Sequence, residues 1–165
     1  VFGQNKSGQN ADSLAVEENV ADKSGANVRR RARILLAEDY KDTAQSMAKL
    51  LELLGHEVLV VGDGPNAIAA AITWQPEIVL LDIGLPTLDG YEVARRLRHE
   101  ESCKDIVIIA VTGYGQVDDL ARSFAAGIDH HLLKPVLPGV LETLLSSLEP
   151  VSDMGDVAGI TAEVP

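Results

Sequence analysis

Five short aliphatic runs punctuate this chain, and a segment of helical character follows each of them. The runs are Ile34–Ala37, Val58–Val61, Ile78–Leu81, Ile106–Val111 and His131–Leu133. Four are almost unbroken Val, Ile, Leu and Ala, which is how a strand reads when neither of its faces meets water. The fifth is shorter and weaker. Strands buried on both faces need a layer of helices above and below them, so the pattern predicts an α/β fold, a doubly wound five-stranded parallel sheet with helices on both faces. Right-handed crossovers leave few topologies, and the strand order 2-1-3-4-5 is the common one at this size.

The intervening segments carry helix signals. Residues 42–54 place Ala44, Met47, Ala48 and Leu51 on one face, with Asp42 as the expected N-cap and Gly55 as the stop. The second helix is expected to start at Pro65 and to end before Pro76. The third begins near Asp89, with Val93, Ala94 and Leu97 facing inward. The fourth runs over residues 117–126 to Gly127, and the fifth over 139–148.

Outside this region the pattern fades. Residues 1–32 are polar and small, and Leu14, Val16 and Val20 are too sparse for an amphipathic face. They read as a flexible linker, residues 33–148 as the folded domain, and 149–165 as a flexible tail. Arg29, Arg30, Arg31 and Arg33 form a short basic cluster, read as a solubilising flank of the first strand. A chain that begins at Val1 reads as a piece of a longer protein.

Charge narrows the function. With 25 acidic against 14 basic residues the net charge is −11, which opposes binding to nucleic acid. Cys103 is the single cysteine, so neither an internal disulfide nor a cysteine metal site is available. No apolar run reaches the roughly 18–20 residues of a membrane helix, and no membrane contact is expected of this domain. A cytoplasmic location fits, while the parent protein can carry an anchor elsewhere.

In an open parallel sheet, ligands bind beyond the carboxyl ends of the strands. Here the first strand ends in Glu38 and Asp39, the third in Asp82, the fourth in Thr112 and Gly113, and the fifth in Lys134 and Pro135. The proposed order makes the first and third strands neighbours, so three carboxylates converge with a hydroxyl and an ammonium beside them. Two carboxylates about 5 Å apart repel by roughly 3 kcal/mol at an effective dielectric near 20. Lys134 offsets part of that, and a hard divalent cation offsets the rest. Mg²⁺ suits such a set, with Asp39 and Asp82 as direct ligands, Glu38 as a ligand through water and the Gly84 carbonyl as another. Asp82 is then a nucleophile for a phosphoryl group. Lys134, the Thr112 hydroxyl and the Gly113 amide are left to stabilise the transferred oxygens.

The segments ILLAEDYKD, IVLLDIGLPTLDGYEVARRLR, IIAVTGYG and HHLLKPV carry a family resemblance. They resemble the receiver domain of two-component response regulators, over about residues 33–148. The resemblance implies a flavodoxin-like fold, with Glu38 and Asp39 as the acidic pair and Asp82 as the phosphoacceptor. It implies Thr112 as the hydroxyl that reorients on phosphorylation, Lys134 as the phosphoryl-binding lysine, and a cis Lys134–Pro135 peptide. Its implied partners are a histidine kinase or a histidine phosphotransfer protein, and its reaction is phosphoryl acceptance without kinase activity of its own. The stretch from Thr112 to Val136 is similar to receivers fused C-terminally to hybrid sensor histidine kinases, which implies a kinase domain in cis. One position departs from the family. His131 stands where a Tyr or Phe usually serves as a rotameric switch. Tyr114 and Gly84 match positions that tune dephosphorylation.

Other readings set the limits. A receiver-like interaction module that no longer switches is the alternative that His131 raises. A phosphatase of the haloacid-dehalogenase type needs a second carboxylate two residues after the nucleophile, and Gly84 stands there. A dinucleotide fold wants glycines where Glu38 and Asp39 would repel a pyrophosphate. His130 and His131, adjacent on a strand, point to opposite faces and cannot share a metal. His56 and His99 are expected to be exposed, Cys103 to lie in a loop as an unremarkable thiol, and Trp74 and Phe124 to serve packing.

Overall fold

The computed structural model describes residues 31–113 and 117–148, with the side chains of residues 117–120 left aside. The elements alternate as expected: β1 (Arg33–Ala37), α1 (Lys41–Leu53), β2 (Glu57–Val61), α2 (Gly64–Trp74), β3 (Ile78–Asp82), α3 (Gly90–His99), a 3-10 turn (Glu101–Cys103), β4 (Val107–Thr112), α4 (Val117–Ala125), β5 (His130–Leu133) and α5 (Pro138–Ser147). The strands form one parallel sheet of order β2-β1-β3-β4-β5. No helix among the described residues is long and apolar enough to cross a membrane.

Two cores follow from the two buried faces of the sheet. In β3, Ile78 and Leu80 pack on one side with Leu51 of α1 and Leu141 and Leu145 of α5. Val79 and Leu81 pack on the other with Ala67 and Ala71 of α2 and Val93 and Leu97 of α3. Every residue of β3 is buried, whereas the edge strand β2 is only partly covered.

Several local details differ from the expectations. Asp42 does not cap α1. Tyr40 occupies the N-cap without a side-chain hydrogen bond, and Asp42 lies in the first turn, where its charge still faces the positive end of the helix dipole. Gly55, at φ +96°, ends α1 by letting its own amide reach the Glu52 carbonyl and that of His56 reach the Leu51 carbonyl. Asp63 caps α2 and Asp89 caps α3, each accepting the amide three residues on at 2.8 Å. Cys103 is no loop thiol. It ends the 3-10 turn fully buried in the core. His56 is half-buried and accepts the Ala32 amide at Nδ1, 3.4 Å away. Phe124 serves no core and is 73% exposed on α4, while Trp74 packs against the α2–α3 side of the sheet.

Gly90 fixes the start of α3 against β3. A Cβ there would sit 2.6 Å from the Asp82 carbonyl oxygen and 2.8 Å from Ile83 Cα, with no room to yield because both are backbone. Gly139 in α5 has nothing within 4 Å. Urea denaturation is therefore expected to show Gly90→Ala destabilised by about 1–3 kcal/mol through overpacking. Gly139→Ala should be neutral or up to about 1 kcal/mol more stable, because the unfolded chain loses freedom. Matching midpoints for the two variants would contradict this packing.

Candidate functional site

The register of the sheet sets the site. Ala37 pairs with Leu81, so Glu38 and Asp82 emerge side by side at the ends of β1 and β3. Asp82 pairs with Val111, and Thr112 pairs with Leu133, so Thr112 and Lys134 follow at the next steps along β4 and β5. The Glu38 amide extends the ladder by donating to the Val61 carbonyl at 3.0 Å, and the Lys134 amide donates to the Thr112 carbonyl at 2.7 Å.

Lys134 joins the two buried carboxylates. Its Nζ donates to Glu38 Oε2 and to Asp82 Oδ2, both at 2.7 Å. The remaining oxygens are held by backbone: Glu38 Oε1 accepts the Tyr40 amide at 3.1 Å and Asp82 Oδ1 accepts the Gly84 amide at 2.8 Å. Glu38 is 5% and Asp82 9% exposed, so each carboxylate is both buried and oriented. Burial by itself would lower the Lys134 pKa. The hydrogen bonds and charges of Asp82 and Glu38 outweigh it and raise that pKa above the ordinary lysine value.

Asp39 completes the acidic set from an exposed position. One oxygen each of Glu38, Asp39 and Asp82 lie within 4.8 Å of one another. Three carboxylates against one ammonium leave excess negative charge at a point open to solvent. Oxygen donors at this spacing fit a hard cation rather than a soft one. Thr112 is buried at the end of β4, and Gly113 beside it is open, with nothing within 4 Å of where a Cβ would stand. The Lys134–Pro135 peptide is cis.

Two flanking features bear on the site. In the β3–α3 loop, Thr87 adopts φ +71° and the Leu88 amide reaches the Pro86 carbonyl at 2.8 Å, a tight three-residue turn that strains a β-branched residue. A groove of about 830 Å³, lined by Asp42, Met47 and Leu50 of α1 and by Pro135, Val136 and Pro138, opens onto Asp82 and Lys134.

His131 stands apart from the acidic cluster. It is half-buried, and its Nδ1 lies 3.2 Å from the Oγ of Ser123 on α4. Sequence reasoning missed Ser123, since a small polar residue on a helix carries no signal until its partner strand is placed. Gly84 is brought to the site by its amide; its carbonyl is not part of the contacts seen. Tyr114 lies outside the described residues.

Comparison with known proteins agrees with this architecture. The family model for the response regulator receiver domain matches residues 34–146. The chain is 36% identical over 103 residues to the DNA-binding dual master transcriptional regulator RpaA of Synechocystis, covering 62% of this chain and 43% of that protein. It is 32% identical over 123 residues to the phosphate regulon transcriptional regulatory protein PhoB of Pseudomonas aeruginosa, covering 74% and 54%. The chain thus spans about half the length of such curated relatives. Among solved structures it resembles the receiver domain of a sensor histidine kinase from Pseudomonas aeruginosa, which has a magnesium ion coordinated in its active site cleft. That match has 31% identity and a TM-score of 0.67, covering 72% of this chain and 97% of the other. The chemotaxis protein CheY4 of Vibrio cholerae shares the fold at 24% identity and a TM-score of 0.69, covering 73% of this chain and 100% of that one.

Two outcomes test the electrostatics. In metal-free, low-salt buffer, Asp39→Asn is expected to raise the melting temperature, because it relieves repulsion worth about 1 kcal/mol at this exposed position. A lower melting temperature would contradict the crowding of the three carboxylates. For Lys134 the folded pKa lies above the unfolded value, so its stabilisation is complete below the unfolded pKa and is lost as pH rises through the folded one. The stability difference between the wild type and Lys134→Gln should be flat up to about pH 10 and shrink above it. A difference that grows in the alkaline range would overturn the pairing.

Proposed function

Because this chain belongs to the response regulator receiver domain family, we propose that it accepts a phosphoryl group on Asp82, from a histidine kinase or a histidine phosphotransfer protein. The observation that carries this reading is the buried Asp82 carboxylate, oriented by the Gly84 amide and the Lys134 ammonium. A carboxylate needs no general base at neutral pH, so orientation and charge are what the protein must supply. An Asp82 oxygen attacks phosphorus, an O–P bond forms, and the bond to the donor's leaving group breaks with its electron pair going to that group.

Each neighbour has a part in this reading. Lys134 neutralises charge on the incoming phosphoryl oxygens, and the Thr112 hydroxyl and Gly113 amide receive another oxygen. Mg²⁺ would supply further charge neutralisation when bound; Asp39 and Asp82 would hold it, with Glu38 acting through water and the Gly84 carbonyl as a further candidate ligand. The acidic cluster and the magnesium ion in the related receiver structure support that assignment. The apolar groove beside Asp82 and Lys134 suits a partner helix that presents its phosphohistidine to the cleft. In this reading the reaction runs in the cytoplasm.

The parent protein is a hybrid sensor histidine kinase in this reading, supported by the 31% identity to a sensor-kinase receiver. The transcriptional regulators among the curated relatives support a second one, a parent chain with a DNA-binding effector.

Incubation with acetyl phosphate and Mg²⁺, followed by intact mass measurement, is expected to add one phosphoryl group to the wild type and none to Asp82→Asn. Lys134→Gln should slow the addition by about a hundredfold or more. Removing Mg²⁺ with a chelator should abolish it. Unchanged labelling of Asp82→Asn would defeat the proposal.

A further inference from the structure

The acidic cleft is built at the ends of strands, yet the first turn of α2 presses on the loop that orients Asp82. A Cβ at Gly64 would lie 2.6 Å from the Leu88 carbonyl oxygen, 2.7 Å from Leu88 Cβ and 2.9 Å from Val93 Cγ2. Gly64 is the first residue of α2 and is buried, so only a residue without a side chain permits this approach. The helix cannot retreat from it. Asp63 caps α2 with both carboxylate oxygens, Oδ1 accepting the Asn66 amide at 2.8 Å and Oδ2 the Asn66 side-chain amide at 2.7 Å. Ala67 and Ala71 are fully buried in the core on that face of the sheet.

The loop that receives this contact, residues 83–89, has little slack. At its ends the Ile83 amide donates to the Val111 carbonyl at 3.2 Å, and the Gly90 amide to the Ile83 carbonyl at 3.1 Å. Leu85 is buried in the core, and Leu88 packs against it. Between them the chain is stiff. Pro86 has a fixed φ, and Thr87 sits in the narrow left-handed well at φ +71°. The Leu88 amide closes the turn onto the Pro86 carbonyl at 2.8 Å. A push at Leu88 is therefore passed along this unit rather than absorbed by it. The position that yields is Gly84, which is exposed and free to adopt backbone angles closed to other residues. Gly84 is also the residue whose amide holds Asp82 Oδ1 at 2.8 Å.

We propose that Gly64 is a positioning residue for the acidic cleft. The close seat of α2 on Leu88 holds the β3–α3 loop, and through it the Gly84 amide on Asp82, in the geometry that binds a divalent cation. The inference rests on the reading of Glu38, Asp39 and Asp82 as a Mg²⁺ site. Gly64 acts through Leu88, by the absence of a side chain. A methyl group there shifts the loop, the Gly84 amide leaves Asp82 Oδ1, and the carboxylate loses a bond that aims it. Losing a group that orients a metal-binding carboxylate typically weakens metal affinity by about 10- to 100-fold. The affinity of the cleft is thus set in part by a helix that lies outside it.

The test is a Mg²⁺ titration of the full chain followed by backbone amide spectra, with Kd read from the shifts of Gly84 and Gly113. The proteins are the wild type, Gly64→Ala, Gly62→Ala and the double variant Gly64→Ala with Thr87→Gly. Gly62 lies in the same β2–α2 connection and has nothing within 4 Å of where a Cβ would stand, so it controls for the substitution itself. Glycine at position 87 makes the stiff turn the place that yields, so that Gly84 keeps its seat. Gly64→Ala is expected to weaken Mg²⁺ binding about tenfold and to move the Gly84 amide signal in the metal-free protein. Gly62→Ala should bind as the wild type does. The double variant should regain most of the affinity and return the Gly84 signal, which a mere loss of stability at Gly64 would not predict. If Gly64→Ala fails to fold, Leu88→Ala decides, because it frees the loop from α2 by removing atoms. Weaker binding in Leu88→Ala supports the brace, and unchanged binding overturns it. Wild-type affinity in Gly64→Ala, equal weakening in Gly62→Ala, or no recovery in the double variant would overturn the brace and leave the Mg²⁺ site of the wild type standing. A wild type without saturable Mg²⁺ shifts would overturn it by removing the site itself.

Discussion

The Lys134 ammonium, placed 2.7 Å from both Glu38 and Asp82, is the interaction on which the site depends. Burying two carboxylates side by side is unfavourable by several kcal/mol unless a cation lies between them. Lys134 supplies that cation from the far side of the sheet, across β4. It therefore ties the ends of three strands, β1, β3 and β5, into one cleft. The balance is deliberately incomplete. Asp39 adds a third carboxylate that Lys134 does not touch, which leaves the cleft short of positive charge and able to receive a hard cation. The stability forgone there is supplied by the two aliphatic cores on either face of the sheet.

The same bonds that satisfy the carboxylates also aim them. Asp82 cannot rotate freely, since one oxygen is held by the Gly84 amide and the other by Lys134. Gly90 lets the start of α3 press against the Asp82 carbonyl, and the strained turn at Thr87 shapes the loop between them. Backbone packing thus fixes Asp82 from below while the mouth of the cleft, at Asp39 and Gly113, stays open.

Much of this was legible in the chain. The sheet is legible because strands buried on both faces must be almost wholly aliphatic, so Ile78–Asp82 announces itself and its order follows from handedness. The acidic residues, Thr112 and Lys134 are legible because polar side chains directly after such strands have nowhere to go but the carboxyl edge. What was not legible depends on tertiary contact. Asp42 has the chemistry of an N-cap, yet the helix is entered two residues earlier, at Tyr40, whose amide the Glu38 side chain engages. Cys103 lies in a segment without periodicity, and only the packing of the 3-10 turn buries it. Phe124 looks like a core residue by type but falls on the outer face of α4, one position from Ser123, which points inward. The Ser123–His131 contact joins an ordinary serine to a residue that only the placing of β5 beside α4 could pair with it.

The central claim is that Asp82, and no other carboxylate of the cleft, forms the covalent bond. Borohydride reduces an aspartyl phosphate to homoserine and leaves free carboxylates untouched. Phosphorylating the chain, reducing it and sequencing its peptides by mass spectrometry should find homoserine at position 82 and aspartate at position 39. Homoserine at position 39, or none in the cleft after phosphoryl addition, would contradict the account.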